Sequence, residues 1–370
     1  MILLIPGPVT TRAEVRAAMA VDYAPWDDDF RAISRRLRQR VCSLAGGDPV
    51  VHTALPLQGC GHFGTEAALR SVLPAGGRIL IPMTGSYAER MGRLAREADR
   101  VPIPLVVDQN RPVSPAQIGE ALRNEPDVTH VGLVYSETSS GVINDAPAIG
   151  AAVRAQGRRL ILDAVSAFGA LPLDLAQQPE IDAAVFTSNK CLEGLPGLVF
   201  VVVRNDTLLS PGQAGSWSFD LADILAQAQG DGGGSFRFTP AAQAVAAFDV
   251  ALDLYDAEGG RVPRLARYRE NAHVLWQGMT DIGLRPCLAE ADQGPIVVNI
   301  HAPPDLVWSL PNFVDALKRR GFTISNFYNT VEPSFRVGCI GNVSPDDMKR
   351  FVNAVDEALI ELGVVIRRGN

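Results

Sequence analysis

The chain has 370 residues, of which 47% are hydrophobic and 20% are charged, and its formal net charge at pH 7 is −7. This composition supports a well-buried core and excludes a largely disordered chain. The acidic balance argues against a nucleic-acid binder, whose surface would carry a basic stripe, and the length predicts one large domain with a smaller one beside it.

The N-terminal segment MILLIPGPVTT is apolar for only five residues before Pro6. It lacks the basic leader and the length of a secretion signal, and no segment reaches the roughly 18 apolar residues of a membrane span. The five cysteines form neither a CxxC pair nor a Cys/His metal spacing, which favours a reducing compartment. We therefore expect a cytoplasmic protein with no membrane partner.

Between about residues 64 and 205, short apolar runs alternate with amphipathic segments. The runs expected to be buried strands are 78–82, 101–107, 130–135, 159–163, 182–186 and 198–203. The segments expected to be helices include 86–98, 114–124 and 146–157. This alternation is typical of a largely parallel sheet with helices on both faces. Ligands of such sheets bind beyond the carboxyl ends of the strands.

After residue 205 the pattern changes. Residues 229–238 predict an extended glycine-rich loop, and residues 241–260 predict a long helix. The segments that follow predict helices at 266–283, 309–321 and 344–363 and strands at 295–300, 322–325 and 335–340. Ser344 and Pro345 are expected to start the last helix. The pattern predicts a small α/β domain whose boundary lies near residues 258–264.

Three segments that adjoin apolar runs carry candidate chemistry. Asp163 ends the run RLILD, Lys190 follows another run, and the glycines of 57–64 precede a helix. Taken singly, these are an ordinary turn carboxylate, a solvated lysine and a helix start. Together they match pyridoxal phosphate (PLP), which needs a lysine amine for its covalent link, an aspartate for its pyridinium nitrogen and backbone amides for its phosphate.

The segments DAVSAFG and FTSNKCLEGLPG, which contain Asp163 and Lys190, resemble the core motifs of class V, fold-type I PLP enzymes. The closer similarity is to the 2-aminoethylphosphonate–pyruvate transaminase family, and it extends over almost the whole chain. It includes the segments LIPGPVTT, WDDDF and FRVGCIGNV. The resemblance implies an α/β fold with an N-terminal arm at 1–15, a large PLP-binding domain with a mostly parallel, seven-stranded sheet at 16–258, and a smaller C-terminal α/β domain at 259–370.

The same resemblance implies roles for individual residues. Lys190 would be the catalytic Schiff-base lysine and Asp163 its catalytic partner at the pyridinium nitrogen. Further cofactor contacts are expected from Cys60, Gly61, His62, Tyr87, Thr138, Ser139, Ser188 and Thr239. Substrate contacts are expected from Arg336, Tyr23 and Thr239. Thr239 matches a residue that reaches the neighbouring subunit's site, which implies a homodimer with composite active sites.

The implied reaction moves an amino group from 2-aminoethylphosphonate to pyruvate, which gives phosphonoacetaldehyde and alanine. Cys60 and His62 stand where the family has serine and threonine, and Tyr23 stands where it has a short hydroxyl residue. These departures leave open an alanine- or serine-type donor with glyoxylate or pyruvate as acceptor. A PLP lyase or desulfurase is disfavoured, because it would need a cysteine on a mobile loop and Cys339 falls in an expected strand.

The plainer interpretations of three site residues also stay open at this point. Tyr87 is also compatible with a core or helix-start aromatic without a role in the site. Thr239 followed by Pro240 is a common helix-start pair. Arg336 alternates with the apolar residues on either side of it, so its side chain would point to solvent if the inner face of that strand is the apolar one.

Overall fold

The computed structural model describes residues 1–366 except 231, 329 and 331. Its helices are α1 Ala13–Ala17, α2 Asp28–Leu44, α3 Gly61–Val72, α4 Ser86–Glu97, α5 Pro115–Asn124, α6 Ala146–Ala155, α7 Leu221–Gly230, α8 Ala242–Ala257, α9 Arg261–Asp281, α10 Leu310–Arg319 and α11 Pro345–Glu361. Its strands are β1 Ile2–Leu3, β2 His52–Gly59, β3 Arg78–Pro82, β4 Val101–Leu105, β5 Val128–Val134, β6 Ser136–Glu137, β7 Val142–Ile143, β8 Arg159–Asp163, β9 Ile181–Thr187, β10 Gly197–Arg204, β11 Val297–His301, β12 Phe322–Thr323 and β13 Ser334–Gly338.

The central sheet has seven strands within the described part of the chain, in the order β2-β10-β9-β8-β5-β3-β4. Strands β4, β3, β5, β8 and β9 are parallel, and β10 runs antiparallel to both β9 and β2. The expected mostly parallel α/β architecture is therefore confirmed. The sequence did not predict β2, which contains Pro56; because β2 is an edge strand, a proline that cannot donate to a neighbour is tolerated there.

The topology brings three strand ends to one edge of the sheet. Because β10 is antiparallel to both of its neighbours, β2 runs in the same direction as β9 and β8. The carboxyl ends of these strands lead to Cys60, to Lys190 and to Asp163, respectively. The sheet thus gathers residues that are more than 100 positions apart in the sequence.

A second hydrophobic cluster lies in the C-terminal part of the chain, between helices α9, α10 and α11 and the antiparallel pair β11–β13. The N-terminal segment joins it, because β1 pairs in parallel with β12 and Leu4 is fully buried in this cluster. Helix α11 begins as expected, with the Ser344 hydroxyl accepting from the N–H of Asp347 and Pro345 in its first turn. The domain boundaries at residues 15 and 258 stay a prediction.

Among the described residues, we find no helix with both the length and the apolar character needed to cross a membrane.

Candidate active site

A cavity of about 360 Å³ lies at the carboxyl edge of the sheet. The predicted site residues in its wall are Cys60, Gly61, His62, Tyr87, Asp163 and Lys190. The N-terminal segment contributes Gly7 and Pro8, and the end of β9 contributes Thr187 and Asn189. The fold therefore assembles the proposed cofactor anchor, its pyridinium partner and the glycine-led helix start around one space.

Lys190 projects into this cavity from the turn after β9. Its Nζ donates a hydrogen bond of 2.8 Å to the carbonyl oxygen of Pro6. Burial lowers the pKa of Lys190 to about 8; the charge of Arg336 lowers it further, and that of Asp163 opposes the change. An amine with such a pKa is partly unprotonated near neutral pH, which is the form that attacks a carbonyl carbon.

Asp163, the last residue of β8, faces Lys190 from the neighbouring strand. Its carboxylate accepts a hydrogen bond of 3.0 Å from the N–H of Val165. Burial raises the pKa of Asp163 to about 6, and the charge of Glu137 adds to the rise. A cation inside the cavity would stabilise the ionised carboxylate, so this residue fits the protonated ring nitrogen of a bound PLP.

The start of α3 forms another part of the wall. Cys60 is the N-cap residue and its side chain makes no capping hydrogen bond. The Phe63 N–H donates to the Cys60 carbonyl at 3.0 Å, and the earlier N–H groups at the start of a helix, which lack a partner within it, suit an anion. The hydroxyl of Thr187 faces the same cavity and, among the described residues, has no hydrogen-bond partner although it is buried. These groups fit the phosphate of PLP.

The two adjacent hydroxyls at the end of β9 have different surroundings. Ser188 is fully buried outside the cavity wall, and its Oγ donates a hydrogen bond of 2.5 Å to the carbonyl of Leu195. The hydroxyl that lines the cavity is that of Thr187. Successive side chains of a strand point to opposite faces, and this alternation is the signal by which the sequence could have singled out Thr187. The contact of Ser188 with the cofactor stays a prediction.

His62, the second residue of α3, also lines the cavity. Burial lowers its pKa, and the charge of Arg90 lowers it further. Its imidazole is therefore neutral at pH 7. Arg90 lies 5.0 Å from the ring centroid of Tyr87, and both side chains belong to the cavity wall.

Thr138 and Ser139 lie in the loop that follows β6. The Ser139 hydroxyl donates a hydrogen bond of 2.5 Å to the carboxylate of Glu137 and accepts one of 3.2 Å from the N–H of Ser86. The buried Oγ of Thr138 is without a partner among the described residues. Sequence reasoning missed Glu137, whose acidic side chain gives no local sign that it is buried.

Arg336 lies on β13 and is only 7% exposed, so its side chain does not point to solvent. Its guanidinium donates to the Ser325 hydroxyl at 3.3 Å and to the Thr138 carbonyl at 3.2 Å, and it lies 4.9 Å from the ring centroid of Phe327. Burial lowers the pKa of Arg336, which the neighbouring Tyr87 hydroxyl opposes. An arginine nevertheless stays charged in a protein, so it is a buried cation close to Lys190.

Tyr23 and Thr239 lie apart from the cavity. The ring of Tyr23 packs 6.1 Å from that of Phe30 at the edge of the main core. Thr239 is exposed, and its carbonyl accepts a hydrogen bond from the side chain of Gln58. Within one chain, neither residue reaches Lys190.

Comparisons with known proteins place the chain in a family. The model of the aminotransferase class-V family matches residues 29–306. A 2-aminoethylphosphonate–pyruvate transaminase of Burkholderia ambifaria is 42% identical, over 99% of this chain and 98% of that protein. One of Cupriavidus necator is 39% identical, over 98% and 96%. The crystal structure of pyridoxamine–pyruvate aminotransferase from Mesorhizobium loti superposes with a TM-score of 0.87 at 26% identity, covering 98% of this chain and 93% of that one.

The family match, the near-complete overlap with these relatives and the Asp163–Lys190 cavity lead to one conclusion. The chain belongs to the class-V aminotransferase family, in the group of the 2-aminoethylphosphonate–pyruvate transaminases, and it is a fold-type I enzyme whose cofactor is pyridoxal phosphate.

Proposed function

We propose that this enzyme transfers the amino group of 2-aminoethylphosphonate to pyruvate, which yields phosphonoacetaldehyde and alanine. The observation that carries the proposal is Arg336, a buried guanidinium that lies outside the cavity wall but whose charge lowers the pKa of the Lys190 amine. The names of the relatives that align over nearly the whole chain support the same pair of substrates.

Each residue around the cavity would have a separate role toward the cofactor. When bound, PLP supplies an electron sink for the pair left at the carbon that bears the amino group. The Lys190 amine takes the proton from that carbon and returns it. Asp163 keeps a proton on the ring nitrogen, and Thr187 with the start of α3 holds the phosphate.

Arg336 would bind the acidic group of each substrate in turn. A guanidinium offers two parallel N–H donors to a phosphonate or to a carboxylate, so one residue suits both the donor and pyruvate. The Nε and one Nη already donate to Ser325 and Thr138, which hold the group in place. The ring of Phe327 packs against it, and because Arg336 is only 7% exposed, an ion pair formed there would be weakly screened by water.

We also infer a homodimer in which Thr239 reaches the neighbouring subunit's cavity. Beside Thr239 lie two exposed rings, Trp217 and Phe238, at 68% and 48% exposure, whose centroids are 5.0 Å apart. Phe63, close to the cavity, is also 42% exposed. Exposed aromatic groups of this kind favour a protein interface. The cytoplasmic location stays a prediction.

The test is a donor screen that follows the absorbance of the cofactor bound to Lys190. We expect 2-aminoethylphosphonate to discharge this absorbance faster than alanine or serine at equal concentration, and pyruvate to restore it. Alanine should also discharge it, because it is the product of the reverse half-reaction. Faster discharge by serine, or recovery with glyoxylate but not with pyruvate, would overturn the proposal in favour of an amino-acid–glyoxylate enzyme.

A further inference from the structure

Glu137 is a fully buried carboxylate to which the reaction outlined above gives no task. It ends the short strand β6. Among the described residues, its carboxylate accepts four hydrogen bonds: one oxygen from the N–H groups of Tyr87 at 3.2 Å and Ala88 at 3.4 Å, the other from the N–H of Ser139 at 3.1 Å and its hydroxyl at 2.5 Å. One side chain thus joins two separate segments of the site.

The first of these segments is the start of α4, which carries Tyr87. The contact between it and the loop after β6 is very close. A Cβ on Gly85 would lie 2.4 Å from the Ser139 Oγ and 2.6 Å from the Glu137 side chain, and Gly85 has a φ of +155°. Only glycine permits this approach. The position of the Tyr87 ring therefore depends on where Glu137 holds the first turn of α4.

The second segment leads to the anion site. Thr138, the residue after Glu137, accepts the hydrogen bond of Arg336 through its carbonyl. Glu137 consequently lies between the Tyr87 ring in the cavity wall and the Arg336 guanidinium. A displacement of its carboxylate would move both.

The hydrogen-bond pattern favours the ionised form of Glu137. Each contact is a donor, and the N-terminus of α4 adds the positive end of a helix dipole. Burial raises the pKa of Glu137, and the donated hydrogen bonds oppose that rise. The titratable and charged groups around this part of the site are Asp163 on β8, Lys190 after β9, Arg336 on β13, and Tyr87 and Arg90 on α4.

We propose that Glu137 is a positioning residue of the active site, which fixes Tyr87 against the loop of Thr138 and Ser139 and keeps a negative charge between Asp163 and Arg336. The part of this proposal that concerns Arg336 rests on the proposed function. The effect of Glu137 on the cofactor requires only that PLP binds to Lys190. The conservative substitution Glu137→Gln keeps the size of the side chain and removes the charge.

The experiment measures the pH midpoint of the absorbance change of the Lys190-bound cofactor, without substrate. The nitrogen that joins Lys190 to the cofactor carries a positive charge when it is protonated. Loss of a nearby negative charge disfavours that protonated form, so we expect E137Q to lower the pH midpoint by about one pH unit. We also expect the circular dichroism of the cofactor band to change, because the Tyr87 ring moves. The matched control is E180Q, which removes a carboxylate that is also buried but bonds to Arg154 outside the cavity wall; it should change neither quantity.

A midpoint and a cofactor dichroism equal to those of the wild type would overturn the proposal. Should E137Q not fold, Glu137→Asp retains the charge but cannot reach both segments. That variant should keep the midpoint and change the dichroism, and an unchanged dichroism would then overturn the proposal. Because no substrate is present, these outcomes are independent of the donor screen, whose failure would refute the proposed substrate and leave the role of Glu137 standing.

Discussion

The amine of Lys190 donates its hydrogen bond to the carbonyl of Pro6, a residue 184 positions earlier in the chain. The N-terminal segment is therefore a wall of the active-site cavity as well as a strand of the C-terminal part. Gly7, the next residue, has a φ of +140°, and a Cβ there would lie 2.5 Å from the Lys190 Nζ. The φ favours glycine, and a side chain at this position would push the Lys190 amine away from Pro6.

The substitution Gly7→Ala should displace the lysine or the N-terminal segment. We expect the affinity for PLP to fall at least about tenfold and kcat/KM about a hundredfold, since small displacements of reacting groups are costly. Cofactor titration and steady-state kinetics measure these quantities. The control is G76A, at a glycine with a φ of +75° and open space around its Cβ position. Wild-type affinity and turnover in G7A would contradict this account of the cavity wall.

Replacing Lys190 with alanine should abolish the absorbance of the lysine-bound cofactor. It should also lower kcat by at least about a thousandfold, because both the covalent link and the proton carrier are lost. Absorbance spectra and single-turnover kinetics provide the measurements, with Lys318→Ala on the exposed face of α10 as the control. A retained band with normal turnover would refute the assignment of Lys190.

Arg336→Lys should keep the positive charge and lose the forked donor geometry. We expect kcat/KM to fall about a hundredfold for 2-aminoethylphosphonate and for pyruvate alike, because one anion site serves both. The matched substitution Arg319→Lys, at a surface residue paired with Glu361, should leave both values unchanged. A loss confined to one of the two substrates would show that the other binds its acidic group elsewhere.

The pair Thr187→Ala and Ser188→Ala separates the two neighbouring hydroxyls. Thr187→Ala should weaken PLP binding about tenfold, which corresponds to the loss of one hydrogen bond to a charged group. Ser188→Ala should leave the affinity for PLP close to that of the wild type and lower the free energy of unfolding by about 1 kcal/mol, because the carbonyl of Leu195 loses its donor. Equilibrium dialysis of PLP and urea unfolding measure the two effects. The reverse pattern would show that Ser188, and not Thr187, contacts the cofactor.

Asp163→Asn should stabilise the cofactor-free protein in a pH-dependent way. The folded pKa of about 6 lies above the ordinary value of 3.8, so the folded state holds the proton more tightly and its stability falls as pH rises from about 4 through 6. Above that range, burial of the ionised Asp163 carboxylate lowers the free energy of unfolding by its full amount, about 2 to 3 kcal/mol. We expect D163N to exceed the wild type in free energy of unfolding at pH 7 and to match it at pH 4. An equal difference at both values would mean that burial of the charge is not the cause.

Local patterns in the sequence were sufficient for the elements that carry the chemistry. The run RLILD matches β8 residue for residue, and the apolar run at 182–186 lies within β9, because continuous apolar runs bounded by polar turns favour buried parallel strands. Because these two runs were predicted as strands, Asp163 and Lys190 were also predicted to lie at strand ends. The edge strand β2 was missed, because a proline and few β-branched residues weaken its local signal.

By itself, the sequence determined the α/β class, the strand ends at Asp163 and Lys190, and, through its motifs, the family and the cofactor. Only the tertiary structure decided that Thr187 rather than Ser188 faces the cavity, that the segment of Pro6 and Gly7 lies against Lys190, and that Glu137 is buried between the start of α4 and the loop after β6. The reason is physical. Strand periodicity and turn chemistry are local properties of the chain, whereas burial, pKa and the partner of a polar group depend on residues that the fold brings together from distant positions, as with Glu137 and Tyr87, which are 50 positions apart, and Lys190 and Pro6, which are 184 apart.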